Sequence, residues 1–312
     1  MIVRLLATSF VVACLTFCQR ANDEPDTVRA VSEGTPSPMP PGVVEVAALD
    51  YAFQAPDRIH SGWTTFVMEN KGNEHHFLLL SRLPEGRTFE DYGREVGMAF
   101  DMVWDSLRAE TIDKTAAGPM LGRLLPEWYA SVKPMGGPGL IAPGAVASTT
   151  LDLEPGTYVM ECYVKTPGGE FHVSLGMARP VTVTEEGSGG SAPPADIQAR
   201  LSNRAIDIEG QVAPGEHTVA VHFDEQPEIG LGNDLHLVKL NADTEIEQVL
   251  SWMDWMNVKG LREPAPAEFV GGTQEMSVGS TAYFTVDLKP GRYAWISEVP
   301  AEKRLVKEVV VE

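Results

Sequence analysis

From Val43 to Val311 the apolar residues gather in short β-branched or aromatic runs, broken by Pro-Gly turns. That pattern predicts an antiparallel sandwich or barrel. The runs come in two series. Gly62-Trp63-Thr64-Thr65-Phe66 leads to an apolar strand over Phe77 to Leu80 and then Arg82-Leu83, while Gly215-Glu216-His217-Thr218-Val219 leads to Leu235 to Val238 and then Lys239-Leu240. Each series continues with a helix-start signal, Thr88 to Asp91 in one and Thr244 to Glu247 in the other. Apolar residues at helical spacing follow, Phe89, Tyr92, Val96, Phe100, Val103 and Leu107 against Ile246, Val249, Leu250 and Met253. A second helix is expected over Met120 to Val132 in the first series only. The pairs Gly136-Gly137 and Gly271-Gly272 come next, then Leu151-Asp-Leu-Glu-Pro-Gly-Thr-Tyr158 against Val286-Asp-Leu-Lys-Pro-Gly-Arg-Tyr293. Each series closes on a β-type run, Pro180 to Thr184 and Leu305 to Val311. The helical inserts read as packing braces, with their methionines and aromatics in the core.

Between the series, Glu185 to Asp196 has the Gly/Ser/Pro composition of a linker. The expected layout is therefore a domain over 43–184, a linker over 185–197 and a second domain over 198–312. Residues 19–42 are polar and proline-rich and read as a tether. Residues 1–18 carry Arg4 and then an apolar stretch too short to span a membrane, which reads as an export signal. Cys14 follows the small residue Ala13, whereas Cys18 precedes the polar tether; either could be the lipidated cysteine of a bacterial lipoprotein. The expected location is the cell envelope or periplasm, with membrane contact only through that anchor.

With 312 residues, 43% of them hydrophobic, the chain has enough apolar material for real cores without disulfides. A net charge of −20 excludes a nucleic-acid partner, which needs a basic footprint, and disfavours an anionic membrane surface. The acidity suits solubility or the steering of a cationic partner.

Two of the three cysteines fall in the export signal, which leaves Cys162 as the lone thiol of the folded part. In an oxidising compartment such a thiol has no internal disulfide partner. It is either a buried structural residue or a metal-bound thiolate. Strand alternation puts Tyr158, Met160 and Cys162 on one face, and a Pro167-Gly168-Gly169 turn then brings back His172 and Met177. Thiolate, imidazole and thioether together select copper over hard cations. A fourth donor, His75, lies just before the apolar strand of the same half, with His76 expected to face the opposite side.

The order of one histidine, then Cys162, His172 and Met177 after a Pro-Gly-Thr-Tyr strand, resembles the cupredoxins, the blue copper domains. The resemblance implies two tandem Greek-key domains, all-β apart from their helical inserts. It also implies a single copper ion held by His75, Cys162, His172 and Met177, and a redox partner protein. Nine residues separate Cys162 from His172, long for such loops. In the second half Ser297 aligns with Cys162, and Gly232-Asn233 with His75-His76, so that half is expected to lack copper ligands. His236 reads as an ordinary strand histidine. Multicopper enzymes of this family place a histidine beside the cysteine, and here the neighbour is Glu161. An electron carrier or copper-holding protein is therefore expected, not an enzyme; the alternative is a copper-free binding or scaffold module.

Overall fold

Runs of alternating burial set the strands. In the computed structural model, which describes residues 41–227, 231–298 and 305–312, the strand Arg58–Asn70 hides Thr64, Phe66 and Met68 on one face and turns their neighbours outward. The strands of residues 43–187 are β1 Val43–Leu49, β2 Ala52–Gln54, β3 Arg58–Asn70, β4 Leu79–Arg82, β5 Lys133–Pro134, β6 Val146–Leu153, β7 Gly156–Glu161 and β8 Ala178–Gly187. Those of residues 197–312 are β9 Ile197–Leu201, β10 Ile206–Glu209, β11 Gly215–Phe223, β12 Leu235–Leu240, β13 Glu268–Thr273, β14 Thr281–Leu288, β15 Gly291–Ile296 and β16 Val306–Val311. The fold is mostly β, as the alternation predicts.

The two series match strand for strand. In the first, β1 runs parallel to β3, β3 antiparallel to β6, and β4, β7 and β8 form an antiparallel set with β5 on its edge. In the second, β9 runs parallel to β11, β11 antiparallel to β14, and β12, β15 and β16 form the set with β13 on its edge. One pairing differs: β3 joins β8 in parallel and links the two strand sets of the first half into one sheet, a contact with no counterpart among the described residues of the second half. The halves also share a seam. Strand β14 pairs with β6 through Tyr283–Thr150 and Phe284–Thr149, and isolated bridges link Met135 to Met276 and Pro138 to Thr273. One continuous set of buried apolar side chains crosses this seam.

Helical material enters between β4 and β5. Thr88 caps the first turn in a reciprocal pair with Asp91, as expected from their spacing. The chain continues through a π-helical turn, Tyr92–Gly97, into the helix Met98–Arg108. The helix expected over Met120 to Val132 is shifted: it spans Lys114–Leu124, started by the Asp113 side chain on Ala116 N–H, and only a 3₁₀ turn, Glu127–Ser131, follows Pro126. In the second half the helix is Ile246–Met253, and the expected cap at Thr244 is absent. Glu245 holds the cap position without a side-chain bond, while the Thr244 hydroxyl donates to Pro266 O. The export signal with Cys14 and Cys18, the tether up to residue 40 and the loop 299–304 lie outside the described residues.

Candidate metal centre

Cys162 follows directly on β7, at the end of a strand whose last residues are all buried. The loop that returns from it is tightly pinned. Lys165 bridges to Phe171, His172 N–H donates to Val164 O at 2.8 Å, and Thr166 and Glu170 close the turn between them. Beyond His172 a single 3₁₀ turn, Val173–Leu175, ends on Gly176 in the left-handed region (φ 111°). A side chain is strained in that conformation, and glycine lets the chain reverse at once. The reversal brings Met177 back so that its carbonyl accepts from Cys162 N–H at 3.2 Å, with the methionine side chain fully buried.

The facing wall comes from the segment before β4. Asn70 gathers it by donating to the carbonyls of Glu74 and Ile141 while accepting from Gly72 N–H. A Cβ at Gly72 would collide with the Asp50 carboxylate and the His76 ring, so only glycine fits there. His76, bridged to Ile141 in a short ladder, then turns inward.

Three donors converge. The sulfur of Cys162 lies 3.9 Å from His76 Nδ1 and 3.8 Å from His172 Nδ1, and the two nitrogens are 3.2 Å apart. All three residues are fully buried. The far nitrogen of each ring is anchored on a carboxylate: His76 Nε2 donates to Asp50 at 2.8 Å, and His172 Nε2 to Glu74 at 2.8 Å. Those anchors are themselves held. Asn73 donates to Asp50 from backbone and side chain, and the Tyr51 hydroxyl donates to Glu74 at 3.0 Å while its ring packs on His172. Asp50 and Tyr51 form the β1–β2 turn, which covers the centre.

His75 is not part of this group. Its Nδ1 and its backbone N–H both meet the Glu263 carboxylate, and its ring packs edge-on against Trp252 and Phe269 of the second half. His75 was the expected upstream imidazole, and the structure instead brings His76 to Cys162 and His172. The physical reason is that Glu263, far along the sequence, captures the outward-facing histidine.

Burial controls the charges here. It drives both His76 and His172 down to about 4, with the neighbouring imidazole adding to the effect on His76, so both rings are neutral near pH 7. Burial likewise pushes the Cys162 thiol up to about 12, against the pull of hydrogen bonds from Phe77 and Val164 N–H. Burial also acts to raise Asp50, but its bonds from Asn73 and His76 prevail and leave it below its usual value. Because each Nε2 carries the proton given to a carboxylate, each Nδ1 presents a lone pair toward the other. A thiol proton can satisfy only one of those nitrogens.

A metal ion satisfies all three donors. A point in their plane equidistant from atoms at these separations lies about 2.1 Å from each, within the ~2.0–2.3 Å of metal–nitrogen and metal–sulfur contacts. Soft thiolate and two imidazoles suit copper, and carboxylates behind the rings are the usual support for metal-bound histidine. The residues present therefore fit a copper ion.

The corresponding place in the second half is filled differently. The register of β12 on β15 sets Asn233 at the position of His76, and Ser297 follows β15 as Cys162 follows β7. Asp234, His236 and Glu298 gather there, all buried. Asp234 accepts from Ser297 Oγ at 3.1 Å, from Glu298 N–H at 2.6 Å and from His236 Nε2 at 2.7 Å. Leu140 N–H donates to His236 Nδ1 at 3.2 Å. Both nitrogens of His236 are thus committed to hydrogen bonds, and no imidazole lone pair remains for a metal.

No family model and no curated protein matches the chain. Solved structures do. An auracyanin from Roseiflexus castenholzii shares 18% identity over 46% of this chain and 97% of its own, with a TM-score of 0.25. Auracyanin A from Chloroflexus aurantiacus, described as a "blue" copper protein, shares 19% over 46% of this chain and 98% of its own, TM-score 0.27. A multicopper oxidase shares 15% over 86% of this chain and 88% of its own, TM-score 0.24. The chemistry of the centre rests on its own atoms.

Proposed function

We propose that this protein is an exported, mononuclear copper protein that carries single electrons or holds copper, through a centre in residues 43–184 alone. The observation that supports this reading is the convergence of His76 Nδ1, Cys162 Sγ and His172 Nδ1, with a carboxylate behind each imidazole. Bound copper would supply a one-electron couple between Cu(I) and Cu(II). The chain's own residues keep the donors still during that change. The pinned loop from Val164 to Met177 fixes Cys162 and His172, and Asp50 and Glu74 lock the tautomer and tilt of both rings. In this reading Met177 would supply a further, thioether donor, its backbone already paired with Cys162. Glu74, only partly buried, holds the His172 ring, and in this reading the route for an electron to a partner protein leaves through that edge.

In the same reading residues 43–184 and 198–312 are cupredoxin-like units, export is directed by residues 1–18, and a lipid on Cys14 or Cys18 anchors the chain. Titration of the copper-free protein with Cu(II) tests the reading. It predicts one equivalent bound and an intense visible thiolate-to-copper band that is lost in Cys162→Ser. One equivalent bound without that band, or an unchanged spectrum in the variant, would overturn it.

A further inference from the structure

A cavity of about 400 Å³ lies against the metal centre, between β4, β7, the helical insert and the second half. Its walls are continuous with the proposed ligands in sequence: Glu161 and Tyr163 flank Cys162, and Phe171 and Val173 flank His172. Aromatic rings from all sides face it, including Phe100, Tyr129, Tyr163 and Trp255. The π-helical turn leaves room on its own side. A Cβ added at Gly93 would meet nothing within 4 Å, and one at Gly97 would only reach Tyr92 O at 4.0 Å.

Charge in the wall has one sign. Asp101, Glu161 and Glu275 line it, and among the described lining residues there is no Lys, Arg or His. Glu161 and Glu275 are both nearly inaccessible, at 7% and 8% exposure. Each has one oxygen engaged, Glu161 by the Tyr92 hydroxyl at 2.8 Å and Glu275 by Gly232 N–H. Lys165, a buried cation, is engaged elsewhere: it donates to Trp255 O and Asn257 O and stacks over Trp104. Carboxylates set in low dielectric without a counter-charge are costly, and an aromatic wall attracts a cation by its ring faces.

We propose that this cavity binds a small organic cation with an apolar body, its charge at Glu275 and Glu161 and its body among the aromatic rings. The site does not depend on the copper reading, and its test leaves copper out.

Calorimetric titration of the copper-free full chain with benzyltrimethylammonium, benzyl alcohol and benzoate, at about pH 8.5 where Glu275 is ionised, decides the matter. The cation should bind roughly tenfold or more tighter than the alcohol, and benzoate should not bind. Glu275→Gln, which removes a buried charge and keeps the shape, should lose that preference. Gly97→Leu should fill the cavity and block binding. Equal binding of cation and alcohol, or full cation affinity in Glu275→Gln, overturns the proposal. Should Gly97→Leu fail to fold, by circular dichroism, Gly93→Leu takes its place.

Discussion

The two halves place different chemistry on matching strands. Before β4 stands His76, and at the matching register before β12 stands Asn233; after β7 stands Cys162, and after β15 stands Ser297. In the first half the donors point at one another with lone pairs unspent. In the second, Asp234 collects three hydrogen bonds and His236 gives up both nitrogens. The contrast shows that the scaffold alone does not make a metal centre. Convergent donors need supports that take up their other valences, and those supports must leave the inward lone pairs free.

Exchanging residues between the halves gives the largest expected effect. His76→Asn installs the second half's residue in the first and should abolish the copper band, with copper affinity down by about 100-fold or more. His75→Gly copies Gly232 instead and should keep one equivalent of copper and the band. It removes the partner of Glu263, so the midpoint of chemical unfolding should correspond to a loss of about 1–3 kcal/mol. Copper loss in His75→Gly with retention in His76→Asn would break the comparison.

The supports come next. Asp50→Asn and Glu74→Gln should each weaken copper by about 10–100-fold, read by competition with a chelator, because the rings lose their fixed tautomer and orientation.

The seam between the halves tests stability instead of copper. Burial, with Asp234 and Glu161 adding to it, raises Glu275 from 4.5 to about 7. The folded protein therefore holds a proton that the unfolded chain releases between those values. Glu275 contributes stability that is fully present below about pH 4.5 and is lost as pH rises through about 7. Glu275→Gln should flatten the fall in stability across that window, by at most about 3 kcal/mol. Parallel pH profiles for the variant and its parent would contradict this.

Much of this was legible in the order of residues. The repeated Pro-Gly-Tyr strand, the lone thiol, and His172 and Met177 beyond a Pro-Gly-Gly turn all read locally, and the structure pairs Cys162 with both His172 and Met177. The choice between His75 and His76 did not. Alternation separates two adjacent residues only when one face of a strand is wet, and Phe77, Leu78, Leu79 and Leu80 are all buried. The residue that holds His75 away, Glu263, belongs to the other half, where no pattern within the first half could point to it. Asp50 and Glu74 were missed for a related reason: a carboxylate in a turn reads as solvated until the fold brings an imidazole to it. Thr88 was a legible cap because its partner Asp91 is local, whereas the same signal at Thr244 yields to a contact with Pro266.

The most direct test is an anomalous difference map at the copper edge, from crystals of the copper-loaded protein. The account predicts one strong peak enclosed by His76 Nδ1, Cys162 Sγ and His172 Nδ1, and none at Asp234 and His236. A peak on His75, or no peak beside Cys162 at full copper occupancy in solution, would contradict it.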